Sequence, residues 1–109
     1  EGRIQAETLR ELGLRAVNAG DWASGAWYLR EAAGAGAAGE GLAIPLAYAL
    51  ALSGSHGEAL AALAGARPRD EAEERAVLRV CALAAASESA RAARVLAGLS
   101  PCSGAEARP

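Results

Sequence analysis

Residues 9–33, LRELGLRAVNAGDWASGAWYLREAA, constrain this chain more than any other stretch. They read as two short helices around a tight turn. Leu9, Leu12 and Ala16 recur at helical spacing and share one face. Gly20-Asp21 breaks the pattern, and Asp21 is a good N-cap because its carboxylate accepts from free N–H groups of the next helix. Trp22, Ala26, Leu29 and Ala33 form the second apolar stripe. Gly13 and Gly25 have no side chain where two helices can approach closely.

The hairpin returns at a fixed interval, and the repeat is weighed before any composition argument, with a generic Ala-rich helical bundle as the alternative. The shift that carries Gly20-Asp21-Trp22 onto Gly54-Ser55-His56 also carries Leu12 onto Leu46. Ala16 lands on Leu50, Leu29 on Leu63, Gly13 on Ala47 and Gly25 on Ala59. A second equal shift is fainter. It takes Leu12 to Val80, Gly13 to Cys81 and Gly25 to Ala93, but Gly20 to Glu88, so the turn glycine is lost.

A helix–turn–helix period of this length, carrying these residues, resembles the tetratricopeptide repeat. The resemblance rests on Leu9, Leu12-Gly13, Gly20-Asp21-Trp22, Gly25, Leu29 and Ala32 in the first unit, and on Leu46-Ala47, Gly54, Ala59, Leu63 and Ala66 in the second. It departs at Ala16, where the family prefers a large aromatic, and in the third unit. It implies an all-α fold of three antiparallel helical hairpins stacked as a right-handed superhelix. The units span about 6–39, 40–73 and 74–100 of one domain over 1–100, and 101–109 form a disordered tail.

The pattern predicts helices at 4–19, 22–34, 40–53, 55–66, 71–86 and 90–99. Pro45 belongs in the first turn of the third, where its missing N–H has no partner to lose, so that helix starts near Gly41 or Leu42. Ser55 and Glu58 have capping-box spacing. Asp70 caps the fifth helix, with Glu71, Glu73 and Glu74 at its positive end.

Composition narrows the function classes. Ala dominates, while Phe and Met are absent. Ala favours helix but brings little apolar area, at roughly 25 cal/mol per Å² buried. The expected core is thin, and self-association or a partner would help to hold it. Net charge is −2, and all 11 basic residues are Arg, spread along the chain. A nucleic-acid binder concentrates basic charge on one face, so that partner is not expected. The longest apolar run, 42–52, is eleven residues. A membrane span needs about 20, so insertion is not expected either. The first residues, EGRIQAE, do not read as a signal peptide, so none is expected. Cys81 and Cys102 make no disulfide framework, and an antiparallel last hairpin would carry Cys102 well past the level of Cys81. Two free thiols in a reducing compartment, the cytoplasm, are the expectation.

Little here points to catalysis. The single histidine, His56, falls at the hairpin corner matching Trp22, where a packed ring belongs. No Cys pair has metal-ligand spacing, and Cys81 with His56 has no third group to orient it. No phosphate loop follows a strand. The chain is read as no enzyme, with no cofactor and no metal.

The resemblance places the first helix of each unit on a concave, groove-lining side. The groove positions it implies are Glu7, Arg10, Glu11, Leu14, Val17 and Asn18; Gly41, Ile44, Pro45, Tyr48, Ala51 and Leu52; and Arg75, Leu78, Arg79, Ala82, Ala85 and Ala86. The family's best-known clamp holds a C-terminal carboxylate with Lys, Asn and Arg. Arg10, Arg75 and Arg79 match its basic positions, but Leu14 and Pro45 stand at the asparagine positions. What remains is an apolar strip of Leu14, Val17, Ile44, Tyr48, Leu52 and Leu78, edged by Arg10, Arg75 and Arg79.

Such a strip suits an amphipathic helix or extended apolar segment of another protein. Burial by a terminal helix or a second copy of the chain, as a homodimer or heteromer, stays open. The expected function is an interaction module, chaperone- or adaptor-like. In size and groove character, with loose similarity around 54–63 and 78–83, the chain also resembles small type III secretion chaperones. A scaffold fragment of a larger repeat array is the alternative.

Overall fold

The computed structural model describes residues 2–35, 42–64, 66–87 and 102. Among these the chain is all helical. The helices are α1 (Gly2–Asn18), α2 (Trp22–Gly34), α3 (Ala43–Leu52), α4 (His56–Leu63) and α5 (Glu71–Ala86). The sequence pattern placed α2 and the end of α5 at the observed residues. The expected sixth helix at 90–99, the turn at 88–89 and the tail beyond Cys102 lie outside the described residues. So do Gly41 and most of the glycine-rich connection.

Two turns at matching positions of successive hairpins are alike down to their hydrogen bonds. Gly20 follows α1 at φ +82° and Gly54 follows α3 at φ +94°, a region that L side chains rarely occupy. Gly20 N–H donates to Val17 O at 3.0 Å, and Asp21 N–H to Ala16 O at 2.8 Å. Gly54 N–H donates to Ala51 O at 3.1 Å, and Ser55 N–H to Leu50 O at 2.8 Å. This pair of bonds satisfies the last carbonyls of each helix and reverses the chain. Gly54→Val is expected to cost about 1–2 kcal/mol from the left-handed backbone alone, since open space surrounds the site. A urea melt checks it.

The hairpin of α1 and α2 closes around its two glycines. A Cβ on Gly13 would stand 2.6 Å from Leu29 Cγ, and one on Gly25 would stand 2.7 Å from Val17 Cγ2. Hydrogen in place of a methyl group therefore sets the helix separation. Leu29, at 0% exposure, fills the space beside Gly13.

The helix α3, AIPLAYALAL, carries no charge. Being apolar all round, it belongs inside, and it contacts α1, α2, α4 and α5. Ile44, Ala47 and Leu50 join Ala59, Leu60 and Leu63 of α4 and Val77, Val80 and Ala84 of α5 in the main core. A smaller cluster of Leu29, Ala32 and Leu42 takes in Leu9 and Leu14, and Val17 and Leu46 touch both. The largest fully buried side chains are Leu, Val and Cys, the thin core that the composition implies.

The paired cap bonds expected at α4 are found in a related form at α5. Ser55 begins α4 without a side-chain cap bond. Glu58 accepts from Arg30 Nη2 of α2 at 2.8 Å, an exposed pair between neighbouring helices. At α5, Asp70 Oδ1 accepts the Glu73 N–H at 2.9 Å, and Glu73 Oε1 accepts the Arg69 N–H at 2.7 Å. That backbone donor, joined by the Arg69 guanidinium, holds the Glu73 carboxyl below the ordinary glutamate range. The α4 helix also ends earlier than expected, because Ala64 turns to ψ 118° ahead of Gly65 and Pro68.

The cysteines correct the sequence reading. Cys81 and Cys102 are joined in a disulfide across 21 residues, with their Cα atoms 5.5 Å apart. The expectation of two free thiols assumed that an antiparallel last hairpin carries Cys102 well past the level of Cys81. Cys102 instead meets Cys81 within the main core.

Candidate functional site

Tyr48 lies in the last half of α3, half-buried against the main core. The Trp22 ring, at the start of α2, meets it edge-on with centroids 5.5 Å apart and planes at 88°. Edge-to-face contact is a favoured aromatic geometry, so the first hairpin's corner braces the Tyr48 ring. Trp22 is itself placed by the Gly20 turn and the Asp21 cap, whose Oδ1 accepts the Ser24 N–H at a long 3.4 Å.

Tyr48 also borders an open depression of about 460 Å³ between α3 and α5. Ala72, Arg75, Ala76 and Arg79 complete the lining. They follow i, i+3, i+4, i+7 spacing and so form one stripe of α5. The two alanines leave a trough, and the two guanidiniums rim it one turn apart. Arg75 makes only a loose pair with Glu71, at 4.0 Å and well exposed. Arg79 is exposed and has no ion pair among the described residues. Both cations are therefore open to a ligand. An aromatic face, small apolar residues and two exposed guanidiniums can hold an apolar segment that carries acid groups.

The residues singled out from the sequence divide into four groups. Tyr48, Arg75 and Arg79 come together at this depression. Leu14, Val17 and Leu52 are half-buried, with Leu14 and Val17 packed against the cores, and Leu78 is exposed; none of these lines the depression. Ile44 is 3% exposed and Ala51 likewise, so both are core residues and offer no contact surface. On α1, Arg10 pairs with Glu7 at 3.8 Å at an exposed site, a bond of little energetic weight.

Three participants were missed. Ala72 and Ala76 carry no chemical signal beyond their spacing with Arg75 and Arg79. Trp22 was read as part of the hairpin stripe rather than as the brace for Tyr48. The aromatic pair Trp27–Tyr28, edge-on at 5.2 Å with Trp27 more than half exposed, lies on α2 and does not line the depression. Among the described residues no cluster of His, Cys, Asp or Glu could hold a metal, and no helix is long and apolar enough to cross a membrane. Compared with protein-family models, curated proteins and solved structures, the chain matches none.

Proposed function

We propose that this chain is a protein-binding module of stacked helical hairpins in the tetratricopeptide manner. It holds an amphipathic segment of another protein against α3 and α5. Two Gly turns with the same hydrogen bonds, at Gly20 and Gly54, support the stacking. One observation carries the binding reading: Tyr48 of α3 and Arg75 and Arg79 of α5, which local sequence does not bring together, converge on one depression with both arginines exposed. The segment that fits presents apolar residues to Tyr48, Ala72 and Ala76, and Asp or Glu to Arg75 and Arg79.

Panning random peptides a few helical turns long against the immobilised chain tests this. Enriched sequences should combine apolar residues at helical spacing with acidic residues. Arg79→Glu, a surface change outside the core, should release them. No enrichment, or enriched peptides that bind Arg79→Glu equally well, would contradict the proposal.

A further inference from the structure

The third unit lacks the signals that close the other two. Glu88 stands where Gly20 and Gly54 make their left-handed turns, and Ala90 stands where Trp22 and His56 put rings at the corner. Gly13 and Ala47 let helices approach in the first two units; the matching residue in the third is Cys81, and it is bonded to Cys102. Both sulfur-bearing residues are sealed, at 1% and 0% exposure, within the core that holds Ile44, Leu60 and Val80.

We propose that the Cys81–Cys102 bond is the structural closure of the third unit, formed as the chain folds in a thiol-oxidising compartment. A catalytic or sensing pair needs an accessible thiolate and a nearby partner such as Cys-X-X-Cys. This pair is buried and 21 residues apart, the pattern of a staple. Its formation removes two protons and two electrons from the two thiols. A protein dithiol oxidant accepts them, its own disulfide becoming a dithiol, through a mixed disulfide with one of the two cysteines. Cross-linking 81 to 102 restricts the unfolded chain, and the thin core makes that restraint count. Once the protein is folded, its burial shields the bond from small thiols. A chain built this way is poorly matched to the reducing cytoplasm.

The test compares the full chain made in a reducing cytoplasm with the same chain exported to an oxidising compartment. Exported protein, denatured without reductant and treated with iodoacetamide, should take up no label. Its unreduced tryptic digest should contain peptide 80–91 joined to peptide 95–109, separating on reduction. Cytoplasmic protein should take up two labels. Reduction of the exported protein should lower its Tm by about 10 °C or more, the scale expected of a native staple in a domain of this size. Two labelled thiols in the exported protein would overturn the proposal, and so would a Tm that reduction leaves unchanged. Neither readout depends on a variant that must fold.

Discussion

Gly25→Leu is expected to destabilise the chain by about 3 kcal/mol, at the upper end for overpacking a well-packed site. The first atom of the new side chain already collides. A Cβ at Gly25 would lie 2.7 Å from Val17 Cγ2, 3.3 Å from Val17 N and 3.4 Å from Gly13 O. The methyl group can rotate away, but the two backbone atoms can yield only if α1 and α2 separate. Separation would pull Val17 from both core clusters and uncover Leu29 beside Gly13. Domains of this size hold only about 5–15 kcal/mol in total. The Tm should fall by about 10 °C or more, given about 4–8 °C per kcal/mol. Gly34→Leu is the control, because nothing lies within 4 Å of a Cβ there. An unchanged Tm for Gly25→Leu would mean that the two helices do not meet at this glycine.

The same glycines show why much of the fold was legible. Gly13, Gly20, Gly25 and Gly54 each do something only a residue without Cβ does cheaply, so their spacing announced both the turns and the close contacts. The caps were legible only as possibilities. Ser55-Glu58 and Asp70-Glu73 have the same spacing, but Glu58 pairs with Arg30 of another helix while Asp70 caps the Glu73 N–H. Local sequence does not contain that neighbour. The cysteines failed for a related reason: their levels were set by an assumed antiparallel last hairpin, and local sequence does not contain the meeting of Cys81 and Cys102 in the core.

The site was half legible. Tyr48, Arg75 and Arg79 stood out by chemical type, and the helical period put the two arginines on one face. The family resemblance also put Ile44 in the groove. On a helix that is apolar all round and surrounded by four others, no stripe distinguishes the core side from the open side. Ala72 and Ala76 matter by being small, which a sequence full of alanine cannot advertise.

Tyr48→Glu is expected to have the largest effect on binding. The Tyr48 ring forms a wall of the depression, and Trp22 holds it in place. A rigid ring that is braced before binding loses little freedom when a partner arrives, the condition under which an aromatic anchor contributes most. Such anchors commonly account for more than about 2 kcal/mol, roughly a 30-fold change in affinity. Glutamate removes that surface and sets a negative charge beside Arg75 and Arg79, where it competes with the acid groups of the partner. Arg10→Ala, on α1 and outside the depression, should weaken binding far less, and mainly at low salt. The decisive measurement is a titration of one panned peptide against the parent and Tyr48→Glu, with circular dichroism on both proteins. The account predicts at least about a 30-fold loss of affinity with helix content unchanged. Equal affinity would show that the Tyr48 depression is not the binding site, and loss of helix would show that Tyr48 belongs to the core.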